Sequence, residues 1–277
     1  MFVTATSALD TGLQRTQFHD EECNLEHLEQ DERREDTLSV LCLDLPSFQG
    51  RDQSGHVRLQ IHGVSSWQPF TVAQRKDGKG ELHIKLEPKV QEGKMAPQYA
   101  NWSFQTKNRV VNALHYSNRL KIRWTGPFGG VLSNSSLYEG MPVKPAVIFV
   151  CWGTGFTAIT QGMHSLGHSQ AQVFWRGAHD YKKYKKYWEK KVQPICQEYG
   201  VRNMLKEWKN ETGDFDLFWN RGQFETAILT VIGNHTRNGQ KVLVGMCGSS
   251  AACNSVTRAI ENLGNHNLIE IQTEAFG

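Results

Sequence analysis

The residues best suited to chemistry lie where an apolar run breaks on glycines. Val147-Ile148-Phe149-Val150-Cys151-Trp152 is followed by Gly153-Thr154-Gly155, and apolar residues then return at helical spacing from Phe156 to Met163. The pattern reads as strand, tight turn, helix. Glycines let a backbone pass close to a ligand, and the free N–H groups and partial positive charge of a helix start attract an anion, a phosphate above all. A Gly-x-Gly turn is in about one case in three only a compact connection, so its surroundings decide. Cys247-Gly248-Ser249 ends a second apolar run. Its thiol is read either as part of a site or as a small buried hydrophobe at a strand end.

Other spacings carry less chemistry. His164 and His168 are four apart but have no carboxylate ligand or general base beside them, so no metal site is expected. Gly167-His168-Ser169-Gln170-Ala171 has part of a nucleophile-elbow pattern but lacks its final glycine. Lys182, Lys183, Lys185, Lys186, Lys190 and Lys191, interleaved with Tyr181, Tyr184, Tyr187 and Trp188, read as a solvated helix face whose aromatics turn inward.

The elements that must position these residues fall into two groups. From Thr37, the segments Leu38–Leu43, His56–Ile61, Phe70–Ala73, Leu82–Leu86 and Leu120–Trp124 are short, partly alternating and bounded by turn residues, which predicts a small antiparallel β-barrel. One helix is expected within it, from about Thr106 to His115. The polar stretch Glu87–Ala100 reads as a surface insertion. After Gly140, strands at Val147–Cys151, Gln172–Trp175, Asp214–Trp219, Val242–Cys247 and Ile269–Ile271 alternate with helices near Thr157–Leu166, Tyr181–Tyr199, Phe224–Ile232 and Ala251–Leu263. That rhythm predicts an α/β domain with a parallel sheet. Residues 1–36, polar and without a signal-peptide pattern, read as a flexible N-terminal arm; 37–140 as the barrel domain; 141–277 as the α/β domain.

Composition narrows the function. A chain of 277 residues with net charge +3 has no electrostatic footprint for nucleic acid, and no apolar run reaches the roughly 18 residues that would cross a bilayer. The six cysteines show no C-x-x-C spacing, which fits reduced thiols in a cytoplasmic setting.

Four motifs in order carry a resemblance: Trp67-Gln68-Pro69-Phe70-Thr71, Thr125-Gly126-Pro127-Phe128-Gly129, Trp152-Gly153-Thr154-Gly155-Phe156-Thr157 and Cys247-Gly248-Ser249, with Thr273-Glu274-Ala275-Phe276-Gly277 at the end. From about Thr37 to Gly277 the chain resembles the ferredoxin-NADP reductase superfamily, and within it the flavin-and-nicotinamide half of ferric reductases and NADPH oxidases. The resemblance implies a barrel that binds FAD and a sheet that binds NADPH or NADH. It sets Pro69, Phe70 and Thr71 along the flavin, and Lys85 with Ser103, or Thr106 in its place, at the pyrophosphate. Gly126 and Gly129 belong to a turn bridging the domains. Gly153, Thr154, Gly155 and Thr157 lie around the nicotinamide cofactor, Cys247 and Gly248 by its reactive ring, and the flavin's nicotinamide face is either uncovered or shielded by Phe276. Thr71 and Cys247 are the residues implied at the reaction centre. The activity implied is hydride transfer from NAD(P)H to FAD, then single electrons to a ferric chelate, a quinone, oxygen or a haem protein, with the chain in the cytoplasm or at the cytoplasmic face of a membrane as part of a longer reductase. Gln68, Gln74, Trp152 and Ser249 depart from the pattern. They motivate the alternative of a non-catalytic binding or regulatory module on the same scaffold.

Overall fold

The computed structural model describes residues 17–29, 39–48, 55–64, 66–86, 116–129, 145–166, 171–177, 186–203 and 221–276, with 102, 105, 106, 108–110, 112 and 113 between them. The insertion expected at 87–100, Ser103 and the strand expected at 214–219 lie outside the described residues.

Six strands close an antiparallel barrel: β1 (Phe18–Glu29), β2 (Ser39–Leu45), β3 (Gly55–Ile61), β4 (Gln68–Gln74), β5 (Gly80–Leu86) and β6 (Arg119–Gly129), in the order β1-β2-β5-β4-β3-β6. Side chains alternate across each strand. In β3, Val57, Leu59 and Ile61 point to the core while Arg58 is exposed. Trp102 and Val110, from the helical residues between 102 and 116, join that core beside Trp124.

Two expectations are corrected here. Residues 18–29 are a barrel strand and not a flexible arm: β1 pairs with both β2 and β6. Its acidic sequence conceals a half-apolar strand, since Cys23 and Leu25 face the core while the carboxylates ahead of them find partners on neighbouring segments. Asp20 pairs with Arg123 at 2.7 Å and Glu22 with Arg119 at 3.4 Å, and Glu21 accepts from the Trp124 indole and from Ser47. The Gly126–Gly129 segment is likewise not a bridging turn. It continues β6, with a bulge opposite His56 and Arg58 and Gly126 at φ +126.

The second lobe is a five-stranded parallel sheet ordered β11-β10-β7-β8-β9. Its strands are β7 (Ala146–Trp152), β8 (Ala171–Arg176), β9 (Arg202–Asn203), β10 (Val242–Ser249) and β11 (Ile269–Phe276). Its helices are α1 (Phe156–Leu166), α2 (Gln193–Tyr199, entered through a π-helical turn at Trp188–Val192), α3 (Arg221–Arg237) and α4 (Ser250–Glu261). Val147, Phe149 and Cys151 serve one core and Ile148 and Val150 the other, so β7 is apolar throughout because both of its faces are covered. The first of these cores also takes in Leu28, Val40 and Cys42 from the outer face of β1 and β2. The lobes are therefore joined through shared apolar packing. Among the described residues no helix is long and apolar enough to cross a membrane.

Candidate functional site

From β7 the chain moves to β8 on one side, while β10 lies on the other. The carboxyl ends of β7 and β10 thus flank the point where strand order reverses, which is where open α/β sheets leave a crevice for a ligand. Two of the sequence motifs end there. The backbone of Gly153 turns at φ +54, Gly153–Gly155 forms a single 3-10 turn, and α1 follows at once. A Cβ at Gly155 would lie 2.7 Å from the Cys247 carbonyl oxygen, so only glycine lets this turn press against β10. Thr157 is buried and its hydroxyl donates back to the Thr154 carbonyl oxygen at 3.1 Å, bracing the turn. Across the crevice, Ser249 caps α4 by accepting from the Ala252 N–H at 3.3 Å.

The barrel contributes β4. Pro69 is exposed, Phe70 is half-buried with its ring 5.2 Å from that of Trp102, and the Thr71 hydroxyl leaves the barrel altogether. It donates to Glu274 Oε1 on β11 at 2.7 Å. Glu274 is in turn the Cα partner of Cys247 on β10. Thr71, Cys247 and Glu274 therefore meet at the junction of the lobes, with Gly155 against the same cysteine. The Cys247 thiol is held well above its ordinary range by burial and then by the Glu274 carboxylate, so it is a neutral group and not a nucleophile. Sequence reasoning missed Glu274. The available signal is a carboxylate at the carboxyl end of the last parallel strand.

The remaining predicted residues are spread around this junction. Gly126 approaches the His56 carbonyl, and His56 is the Cα partner of Thr71, which brings the β6 bulge beside β4; Gly129 ends β6. Lys85 is half-buried on β5, on the face that carries Glu81 and His83. Thr106 is fully buried, and among the described residues its hydroxyl has no hydrogen-bond partner. A buried hydroxyl without a partner suits a donor meant for a ligand oxygen. Phe276 is the last residue of β11, the Cα partner of Ser249.

Trp152 alters the crevice. Its indole lies over Gly248, where a Cβ would be 2.5 Å from Cε3, and it meets the Phe224 ring edge-on at 5.8 Å. The space beside Gly248 is thus filled by this chain's own ring.

A second polar cluster was not foreseen. Lys191, read as part of a solvated face, is buried and pairs with Glu81 and, at 2.9 Å, with Glu26. His83 meets Glu81 at 3.0 Å and the Tyr187 hydroxyl at 2.8 Å. Burial would raise the Glu81 carboxyl, but His83 and Lys191 outweigh it and hold it at about 2. Burial would also lower Lys191, yet Cys42, Glu81 and Glu26 keep its ammonium above the usual range. Ligand atoms of Cys42, Glu81 and His83 lie within 4.8 Å of one another, the spacing of a metal triad. Lys191 already supplies the positive charge there, and both His83 nitrogens are engaged. The cluster is a docking contact between β1, β5 and the helical turn before α2.

No protein-family model matches the chain, and no curated protein matches it. Solved structures match in fold. The ferredoxin-NADP+ reductase from Plasmodium falciparum has a TM-score of 0.52 at 12% identity, over 93% of this chain and 96% of its own; the same reductase with 2'P-AMP gives 0.51 at 10%, over 92% and 96%. The ferredoxin reductase in carbazole 1,9a-dioxygenase, in its FAD apo form, gives 0.51 at 12%, over 94% of this chain and 66% of that one. At identities this low, the likeness shown is one of fold.

Proposed function

We propose, from the premise that this chain has the two-lobed fold of the ferredoxin-NADP reductases, that it is a flavoprotein oxidoreductase with FAD on the barrel and NAD(P)H on the sheet. Reduced flavin would pass single electrons onward, in the manner of ferric reductases, to a ferric chelate, a quinone, oxygen or a haem protein. The observation that carries the reading is the 2.7 Å hydrogen bond from Thr71 to Glu274, because it joins the barrel strand and the sheet edge at which the two cofactors would meet.

FAD, when bound, supplies the hydride acceptor and the one-electron donor. The chain's task is to hold, orient and keep dry. Pro69 and Phe70 offer an apolar wall, and Thr71 with Glu274 makes a hydrogen-bonded polar pair across the two lobes. Cys247, neutral in its burial, lines the junction. Lys85 and Thr106 are the donors suited to a diphosphate, and Gly153, Thr154 and Gly155 suit the second cofactor's phosphates. Six buried thiols without disulfides agree with a reducing, cytoplasmic setting.

The Trp152 indole over Gly248 favours a second reading, a scaffold that binds flavin but no longer admits nicotinamide. One experiment separates the two. Protein loaded with FAD and mixed with NADPH or NADH without oxygen should turn from yellow to colourless. Colour that persists would leave only the flavin-binding module, and a protein that takes up no flavin would end both readings.

A further inference from the structure

Strand β4 changes partners midway. Residues 68–71 pair with β3, whereas Val72, Ala73 and Gln74 pair with β5. Beyond Thr71 the edge of β4 that had faced β3 must find other partners for its backbone, and Val72 and Gln74 both point that way, since alternate residues of a strand present their N–H and C=O groups to the same side. Side chains of the other lobe take the place of a strand. The Gln161 amide donates to the carbonyl oxygens of Val72 at 2.8 Å and of Gly55 at 2.7 Å. Thr160 accepts from the Gln74 N–H at 2.8 Å, and the Tyr199 hydroxyl donates to the Gln74 carbonyl oxygen at 2.9 Å. Gln74, Thr160, Gln161 and Tyr199 are all buried, so water cannot substitute.

These contacts lead back to the glycine turn. Thr160 spends its own proton on the Thr157 carbonyl oxygen at 2.7 Å, which fixes its hydroxyl as the acceptor for Gln74, and Thr157 donates to Thr154. A threonine at every third residue thus joins a barrel strand to the Gly153–Gly155 turn. The levers are short. Thr160 lies about 8 Å along α1 from Gly155, at 1.5 Å per residue, and Gln74 about 10 Å along β4 from Thr71, at roughly 3.3 Å per residue.

We infer that Thr160, Gln161 and Tyr199 are positioning residues, which close the open edge of β4 and thereby hold Pro69, Phe70 and Thr71 at a fixed distance from the Gly153–Gly155 turn. Its bearing on hydride transfer rests on the oxidoreductase reading; the clasp itself does not.

The test uses the full chain with three substitutions: Thr160→Val and Tyr199→Phe, which keep shape and remove the polar contact, and Thr160→Ser, which keeps the hydroxyl. In amide hydrogen exchange, the Val72–Gln74 segment should exchange at least about tenfold faster in the first two and at the wild-type rate in the third. With FAD bound, the limiting rate of anaerobic bleaching at saturating NADPH should fall by about tenfold or more in Thr160→Val and Tyr199→Phe. FAD affinity and reduction by dithionite should not change, and Thr160→Ser should restore the rate. Unchanged exchange, or a loss shared by Thr160→Ser, overturns the inference; so does faster exchange with an unaltered limiting rate in a wild type that bleaches. If wild-type protein does not bleach, the oxidoreductase reading fails and exchange alone decides the clasp.

Discussion

The Trp152 indole rests on Gly248, its Cε3 only 2.5 Å from where a Cβ would stand, at the strand ends where β7 and β10 part. An aromatic ring on glycine covers the Gly248 backbone, side chain from one strand on bare backbone from the other. Removing the ring should open the space beside it. Trp152→Ala is expected to bleach bound FAD at least about tenfold faster with NADPH than wild type, while losing about 1–2 kcal/mol of stability, the worth of a partly buried apolar side chain. Anaerobic stopped-flow absorbance and urea unfolding measure the two effects. An unaltered bleaching rate would show that the indole does not stand in the cofactor's way.

Glu81 and Lys191 tie the barrel to the helical turn before α2, and Glu81, whose charge is favoured first by His83 and then by Lys191, sets an acid limit on stability. The Glu81 carboxyl falls from an ordinary 4.5 to about 2 in the folded chain. A group lowered in this way adds stability that is fully present above its unfolded value and is lost as pH falls through its folded value. That contribution, about 3 kcal/mol for such a difference, should fade between roughly pH 5 and pH 2. Glu81→Gln should cost about 3 kcal/mol at pH 7, since it leaves Lys191 with Glu26 alone, and should flatten the acid side of the profile. Urea midpoints measured from pH 7 to pH 3 decide this, and parallel profiles for wild type and variant would refute it.

All six cysteines are free and buried, and burial pushes every thiol up, Cys196 to about 12 and Cys253 to about 11. Native protein at pH 8 should therefore lack a fast phase with a thiol-exchange reagent, and six thiols should react once it is unfolded. A single rapidly labelled thiol in the native state would contradict this packing.

Much of the architecture is legible in the sequence because period-2 and strand-helix rhythms are local. The strands carrying Phe70, Leu82, Ile122, Val147 and Val244 all stand near their expected places. What escaped notice depends on partners far along the chain. Asp20, Glu21 and Glu22 look like a solvated acidic arm until Arg123, Trp124 and Arg119 come beside them, some hundred residues later. Lys191 looks like its neighbouring surface lysines until Glu81 arrives. The glycine turn could be named because glycine announces a local backbone need, and Thr71 because its motif carries the family resemblance. Glu274 could not, for its meaning comes only from the hydroxyl opposite it.

That hydroxyl gives the last expectation. Thr71→Val keeps the β-branched shape that suits β4 and removes the donor to Glu274, leaving a half-buried carboxylate without this partner. A hydrogen bond to a charged group contributes about 1.5–3 kcal/mol, so hydride transfer should slow by roughly 10- to 100-fold if the pair orders the junction. Thr71→Ser, which retains the donor, should recover most of the rate. FAD affinity should hold within about threefold in both, because less than about 0.7 kcal/mol is at stake when no pyrophosphate donor is touched. Stopped-flow bleaching and flavin titration on the two variants separate these effects. Equal loss in Thr71→Val and Thr71→Ser would mean that the contact to Glu274 is only packing, and that the lobes meet there without shared chemistry.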